Sequence, residues 1–438
     1  MAASAPASRI VLAAGIRTPW ARAGGRFAGE DAGHLGARVA RELLARTGVD
    51  PGEIDEVIAG CVGPPHDQAN VGRVLALRAG VPMHVPARTV GRNCASGMEA
   101  VTNAVTEISA GNGELYLCVG VEVMSAYPLV FGAQMTDLFA RLARSRTFGQ
   151  RLAALSRFRP RMLAPRIALT EGLTDPVSGL IMGRTAEVLA REFGIERHEQ
   201  DAYAARSHQR ARAARDSGRL AREIVPVLPL GARPGARALV HDDGIRDDQS
   251  VETLARLKPY FERPDGTVTV GNSCQITDGA AALLVTTAER ARALGLRPLA
   301  AIRAYAITGC DPARMGLGPV FATARALDAA RCSFADIGLI EINEAFAAQV
   351  LACARAFESD AFARAHLGRD HALGALDPER TNVNGGAIAL GHPVGATGAR
   401  LLLTLALEME ARDVPLGLAT LCIGGGQGEA VVLERVAA

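Results

Sequence analysis

The chain predicts an α/β protein built in two halves, and three observations carry that expectation. Strand-length apolar runs alternate with longer amphipathic stretches, the alternation resumes near residue 299 in the same order, and the texture from Tyr127 to about Pro264 differs from both. The first half opens with a strand over residues 9–14, inside the apolar run from Ile10 to Gly15. A helix near residues 32–47, a strand at 56–61, a helix near 70–79 and a strand at 87–90 follow. Residues 98–110 have helical spacing and stop at Gly111-Asn112-Gly113, where glycine can take the left-handed closing conformation. The strand 115–124 comes next. Between 127 and 264 the pattern becomes arginine-rich, proline-punctuated helices and loops, and strand character returns at 267–270 and 281–286. The second series reads as a strand at 300–306, a helix near 322–330, a strand at 337–342 and a helix over 344–357. A helix at 399–412 and strands at 417–422 and 429–433 complete it. The expected division is residues 1–294, holding an inserted unit at about 127–264, and residues 295–438, a duplicated architecture without obvious residue repeats.

Composition narrows the function. A chain of 438 residues, 49% hydrophobic and 21% charged, can bury more than one core. Its formal charge of +2 argues against a general nucleic-acid binder, so any anion site must be local. Eight cysteines are spread without a C-x-x-C pair, which signals neither zinc nor a dithiol redox motif and suits a reducing cytoplasm. The run from Ile10 to Gly15 is too short for a membrane span and lacks a cleavage pattern.

Chemistry gathers at four motifs. Cys94 lies in Gly91-Arg92-Asn93-Cys94-Ala95-Ser96-Gly97, where a strand gives way to a helix, and the positive end of that helix is expected to lower the thiol's pKa. A buried structural cysteine is the plainer reading. His392, between Gly391 and Pro393, sits in a glycine-rich loop that can hold an imidazole rigidly and let it take a proton from Cys94, or simply satisfy it with backbone. Cys422 precedes Gly424-Gly425-Gly426, whose bare N–H groups could cradle an oxyanion or merely turn a hairpin. Asn343 opens the expected helix over 344–357, as an N-cap or as a carboxamide that holds a water against an enolate oxygen.

Together these motifs resemble the thiolase family, and the likeness runs over nearly the whole chain. Gly266 through Asn272, Thr277-Asp278-Gly279-Ala280, Gly172-Leu173-Thr174-Asp175 with Met182-Gly183, and Ala399-Arg400 are similar to further landmarks of that family. The resemblance implies two α/β halves forming five layers (αβαβα) with an inserted loop domain that carries the coenzyme A site. It implies a ping-pong acyl transfer: Cys94 attacks a 3-oxoacyl-CoA, His392 activates it, and Cys422 protonates the departing enolate and later deprotonates incoming CoA. The N–H groups of Cys94 and Gly424 would form one oxyanion hole, and Asn343 (through a water) with His392 the other. CoA is then a co-substrate, with no permanently bound cofactor or metal. By the same resemblance Arg246 falls where an arginine meets the nucleotide end of CoA, while Met182, Cys274 and Phe346 fall along the acyl and pantetheine walls.

The implied reaction is cleavage of 3-oxoacyl-CoA to acetyl-CoA and a shortened acyl-CoA; the alternatives are acetoacetyl-CoA formation and a non-catalytic lipid- or CoA-binding role. Cys274 and Ile181, where short-chain members often have serine and histidine, weaken a purely biosynthetic assignment. The stretch 358–377 resembles the fatty-acid-oxidation β-subunit branch. A ketoacyl synthase shares the fold, but Cys422 in Cys-Ile-Gly-Gly-Gly speaks against it. A homodimer or dimer of dimers is expected, with a hydratase/dehydrogenase partner as a further possibility. One feature stays apart from the chemistry. Arg141, Arg144, Arg146, Arg151, Arg157, Arg159, Arg161 and Arg166 interleave with Leu138, Phe139, Leu142, Phe148, Leu152, Leu155, Phe158 and Met162. That stretch is either the solvated face of a helix pair or a surface that docks a partner subunit or an anionic membrane.

Overall fold

The computed structural model describes residues 9–436. Its first half runs β1 (Ile10–Arg17), α1 (Ala32–Thr47), β2 (Glu56–Gly60), α2 (Val71–Ala79), β3 (Ala87–Val90), α3 (Ser96–Ala110) and β4 (Leu115–Val123). The excursion follows, with α4 (Ala133–Arg144), α5 (Phe148–Leu155), α6 (Met182–Glu192) and α7 (Arg197–Asp216), and the chain returns on β5 (Thr277–Thr287). The second half runs β6 (Ala300–Gly309), α8 (Gly318–Ala330), β7 (Leu339–Ile342), α9 (Ala347–Phe357), α10 (Val394–Arg412), β8 (Leu416–Ile423) and β9 (Gln427–Glu434). Helix ends follow local chemistry. Asp31 caps α1 by accepting from the His34 N–H, and Gly48 and Gly111 close α1 and α3 in the left-handed conformation.

Duplication is written in the strand order. The first half reads β3–β2–β4–β5–β1, with β2 parallel to its two neighbours and the last two pairings antiparallel. The second reads β7–β8–β9–β6 with the same senses, and a lone parallel bridge between Ile340 and Thr381 stands where β3 stands in the first half. By this correspondence α3, which follows Cys94, and α10, which follows His392, are equivalent helices of the two halves.

Edge strands β1 and β6 join the two sheets through Val11–Ala301 and Leu12–Ala300. Helices α3 and α10 share a buried core with both sheets, which includes Met98, Val101, Leu402, Leu283, Leu421 and Val431. α1 and α2 cover the outer face of the first sheet, and α8 and α9 that of the second. The result is five layers, helix–sheet–helix–sheet–helix.

The central helices touch backbone to backbone. A Cβ added to Gly97 would lie 2.7 Å from the Gly395 carbonyl oxygen and 2.9 Å from the Ala399 nitrogen, and one added to Gly398 would lie 2.5 Å from the Met98 nitrogen. Only glycine permits that approach, so α3 and α10 bring the turns at their N-termini together.

Two expected elements differ. Residues 267–270 are irregular rather than a strand, because the Glu187 carboxylate on α6 accepts the N–H groups of Thr267 and Val268, and Asn272 Oδ1 accepts that of Thr269 at 2.8 Å. With those donors spent on side chains, no ladder can form. The helix expected over 344–357 begins only at Ala347, with Phe346 extended at the N-cap position, so Asn343 is not a helix cap. The Asn343 N–H instead donates to the Thr420 carbonyl at 3.0 Å and prolongs the β7–β8 pairing.

We expect Gly97→Ala to lower the free energy of unfolding by about 1–3 kcal/mol, the usual cost of overpacking a tight contact. Urea denaturation would check this, and an unchanged midpoint would mean that the helices part without penalty.

Candidate active site

Cys94 is held by a hydrogen-bonded turn. The N–H of Ala95 donates to the Arg92 carbonyl and that of Ser96 to the Asn93 carbonyl, both at 3.0 Å. Asn93 adopts a positive φ of 43°, and its Nδ2 donates to the Gly424 carbonyl at 2.7 Å, which ties the Cys94 turn to the glycine hairpin between β8 and β9. The N–H groups of Gly424 and of Cys94 itself face the sulfur.

The expected lowering of the Cys94 pKa is not what the structure shows. Burial pushes the thiol above its ordinary value, and the two facing N–H groups only partly oppose it. Cys422, fully buried at the end of β8, is pushed well above the ordinary value by burial, then by the proximity of Cys94, Cys353 and Cys274. Cys274 is raised to about 12 by burial and then by Cys94. The thiols of residues 94, 274 and 422 therefore lie within electrostatic reach of one another.

His392 is buried, and its two ring nitrogens have distinct partners. Nδ1 lies 2.6 Å from the Thr397 hydroxyl, and that hydroxyl donates to the Pro393 carbonyl at 3.1 Å. A hydroxyl has one proton, so Thr397 must accept from Nδ1–H, which leaves Nε2 as a bare acceptor. Asn343 Nδ2 faces Nε2 at 3.4 Å and donates to it, while Asn343 Oδ1 is buried without a hydrogen-bond partner. Burial, and next Arg400, push His392 down to about 3. A neutral imidazole and a neutral thiol are the resting state.

A buried carboxylate locks this loop in place. Glu122, at the end of β4, accepts the N–H groups of Val62 (2.9 Å), Gly63 (3.0 Å) and Gly395 (3.0 Å), the last in the first turn of α10, and also the Tyr127 hydroxyl at 3.2 Å. One side chain thus joins loops of both halves at the helix end that follows His392. A single acid in an otherwise apolar strand was its sequence signal. Thr397, five residues after His392, was equally visible but meaningless without the ring orientation.

A cavity of about 420 Å³ opens beside Cys94. Cys94, Gly424 and Gly425 line it with Met182, Met124, Tyr127 and Val394, and the excursion closes it with the segment from Leu169 to Val177. His392, Cys422 and Asn343 are buried and do not line it. Phe346 and Cys274 also lie off its wall, held together through a Ser273–Phe346 bridge and a Cys274 N–H bond to the Ala345 carbonyl at 3.0 Å; the Phe346 ring meets Phe261 edge-on at 5.9 Å. Arg246 is exposed and away from the cavity, with its backbone N–H on His208 Nδ1 at 3.2 Å.

Comparison with known proteins identifies the family. Residues 10–289 match the family described as Thiolase, N-terminal domain, and residues 296–435 match Thiolase, C-terminal domain. A 3-ketoacyl-CoA thiolase of Pectobacterium carotovorum is 41% identical over 97% of this chain and 96% of its own. An acetyl-CoA acetyltransferase of Pseudomonas aeruginosa is 44% identical over 97% and 99%. Among solved structures, the acetyl-CoA acetyltransferase of Bacillus anthracis superposes with a TM-score of 0.86 at 36% identity, covering 99% of this chain and 100% of that one. Human mitochondrial 3-ketoacyl-CoA thiolase in complex with CoA gives 0.85 at 34%, covering all of both chains. The chain belongs to the thiolase family. It is an acyltransferase that uses CoA as a co-substrate.

In the free enzyme, iodoacetamide alkylation of Cys94 should accelerate with pH through and beyond 9, the ordinary thiol value, because the thiol is raised and the His392 imidazole stays neutral. A rate plateau near neutrality, read by mass spectrometry of the labelled peptide, would instead reveal a thiolate–imidazolium pair.

Proposed function

We propose that this chain cleaves 3-oxoacyl-CoA thioesters with CoA, and that residues 94, 343, 392, 422 and 424 carry the reaction. The observation that carries the reading is the Cys94 sulfur facing two backbone N–H groups in an apolar cavity, with a bare imidazole nitrogen held in the same core. His392 Nε2 takes the Cys94 proton as the sulfur attacks the keto carbon. A raised thiol and a lowered imidazole make that transfer uphill in the resting site, so it is coupled to attack, when the new oxyanion enters the cradle of the Cys94 and Gly424 N–H groups. The bond between the two carbonyl-bearing units then breaks. Cys422 gives its proton to the leaving acetyl-CoA carbanion, while His392, now protonated, and a water on Asn343 Oδ1 hold the enolate oxygen. In the second half-reaction the Cys422 thiolate deprotonates CoA, whose sulfur attacks the acyl group on Cys94, and the departing Cys94 sulfur regains its proton from His392.

A high pKa suits Cys422, since a carbon acid needs a base of comparable strength and its conjugate acid must return the proton. The apolar wall of Met124, Leu169, Leu173, Val177 and Met182 favours acyl groups longer than acetyl, hence thiolysis as the physiological direction. The second reading, acetyl-CoA condensation, is favoured by the 44% identity to the Pseudomonas acetyl-CoA acetyltransferase. Within this reading residues 1–294 and 295–438 are the two catalytic halves and the insertion at about 127–264 is the CoA-binding unit. Met182 borders the acyl group, Cys274 and Phe346 support the pantetheine end from behind, and Arg246 meets the nucleotide from outside the cavity.

For assembly we favour a homodimer or dimer of dimers, supported by the half-buried edge strand β3, which offers an unpaired ladder to a second copy. A hydratase/dehydrogenase subunit is a further candidate partner. Cytoplasmic residence fits eight free cysteines. No helix among the described residues is long and apolar enough to cross a membrane.

Thiolysis assayed across 3-oxoacyl-CoA chain lengths, with acetyl-CoA condensation in parallel, tests the activity. Cys94→Ala should abolish both directions, whereas Cys422→Ala should still acylate at Cys94, seen by mass spectrometry, without turning over. Full turnover in either variant would remove these roles. Thr397→Val should lower kcat by about tenfold to a hundredfold, equivalent to losing a buried hydrogen bond of about 1–3 kcal/mol. KM should change little, and Thr397→Ser should restore the rate; equal losses in both variants would point to packing alone.

A further inference from the structure

We propose that Glu344 is a positioning residue that sets the spacing of Asn343 and His392 from behind the site, an inference that rests on the catalytic roles given to those two residues above. Glu344 directly follows Asn343 and is buried, yet it does not line the cavity beside Cys94. Four donors meet its carboxylate. Oε1 accepts from the Tyr203 hydroxyl at 3.1 Å and from Asn382 Nδ2 at 2.9 Å, and Oε2 from the Ser207 hydroxyl at 2.6 Å and the Ile388 N–H at 3.2 Å. Two of these come from α7 and two from the chain that leads to His392. Ser207 adds an indirect link, because its oxygen accepts the Gly386 N–H at 3.2 Å while its proton goes to Glu344. A Cβ on Gly386 would lie 2.3 Å from the carboxyl carbon, so this backbone is laid directly onto the carboxylate.

Both groups are bracketed by this arrangement. Asn382 Oδ1 accepts the Ile342 N–H at 2.9 Å and its Nδ2 donates to the Ile342 carbonyl at 2.8 Å, so Asn382 bonds the residues on either side of Asn343. His392 is held before and after. Glu344 accepts the N–H of Ile388, and Glu122 accepts that of Gly395. The 3.4 Å separation of Asn343 Nδ2 and His392 Nε2 therefore depends on one carboxylate that joins the two segments. His392 keeps further ties through Thr397 and Glu122, whereas Asn343 is one peptide bond from Glu344. Loosening the carboxylate displaces Asn343 first.

The same carboxylate can be reached from outside. A second cavity, of about 290 Å³, lies between α7 and α9 and is lined by Glu344, Tyr203, Ser207 and Asn382, with half-buried Arg206 and exposed Glu358. It has room for a small carboxylate if the native side chain is truncated. A packing role needs only volume, but four converging donors need an acceptor with two oxygens, and a free carboxylate supplies that acceptor without the covalent link.

The test separates the enolate site from the acylation step. Glu344→Gln keeps the side-chain shape but sets an N–H group against donors, which costs a charge-assisted acceptor. In heavy water, deuterium exchange into the methyl group of acetyl-CoA, which needs the enolate site, should slow roughly tenfold to a hundredfold, the range for losing a buried hydrogen bond to a charged group. Acetylation of Cys94, read by mass spectrometry, should fall far less, and KM for CoA should change little. Glu344→Ala should lose more, and formate titrated into the assay should raise its exchange rate by roughly tenfold, while chloride at equal ionic strength raises it not at all. Exchange and acetylation falling together in Glu344→Gln, or no effect of formate on folded Glu344→Ala, would overturn the inference, as would loss of the folded state in both variants. Equal exchange in the natural chain and in Glu344→Gln would overturn this inference alone, whereas a natural chain that exchanges no deuterium would overturn the catalytic reading and this inference with it.

Discussion

Close passage of α3 over α10 is the constraint on which the rest of the molecule depends. The two helices meet through Gly97 and Gly398, at separations that leave no room for a Cβ, with the Gly395 carbonyl oxygen set against Gly97. Each helix follows a turn bearing one reactive group, Cys94 before α3 and His392 before α10. Drawing their N-termini together therefore builds the proposed site as a by-product of packing the central layer. The duplicated strand order explains why this works: equivalent helices of equivalent halves face each other, and the groups they carry sit at equivalent ends. A twofold-like core needs no special loop to bring distant residues together.

Burial at that junction sets the protonation states. Cys94 and Cys422 are both raised and His392 is lowered, and desolvation is the largest cause in each case. The resting site is consequently uncharged. In the proposed mechanism charge develops only when substrate supplies an oxygen for the facing N–H groups, so the dry environment that suppresses the free thiolate also strengthens the donors proposed to receive the oxyanion. Glu122 illustrates the supporting cost. It is a buried acid, raised by desolvation, kept because four hydrogen bonds from both halves hold the walls of the cavity and the start of α10 in register.

The excursion serves two surfaces at once. Its inner segment, from Leu169 to Met182, supplies the apolar side of the cavity, while α4 and α5 present apolar side chains to the outside. Buried polar ties fasten the excursion elsewhere: Arg17 on β1 pairs with Glu223 at 2.7 Å and Asp242 at 2.6 Å, and the guanidinium groups of Arg17 and Arg400 both lie over the Trp20 ring. The body of the insertion is thereby welded to the core, and its hairpin is left projecting.

Much of this was legible in the chain. Alternating periodicity located nearly every strand and helix, since burial of a sheet face or helix stripe leaves its period in the sequence whatever the partner. Glycine at positive φ marked the ends of α1 and α3, and the motifs around residues 94, 343, 392 and 422 carried the family resemblance. Misreadings arose where side chains from distant segments took backbone donors, as Glu187 did at Thr267 and Val268, or where strand pairing continued into an expected helix, as at Asn343. The direction of the Cys94 shift was lost because burial by a surrounding core, which is not local in sequence, decided it. Sequence by itself determined the elements, their order and the reactive residue types, because these follow from short-range patterning and covalent identity. Only the tertiary structure decided which of those residues meet, which nitrogen of His392 is bare and which apolar side chains remain outside, because each depends on contacts between segments hundreds of residues apart.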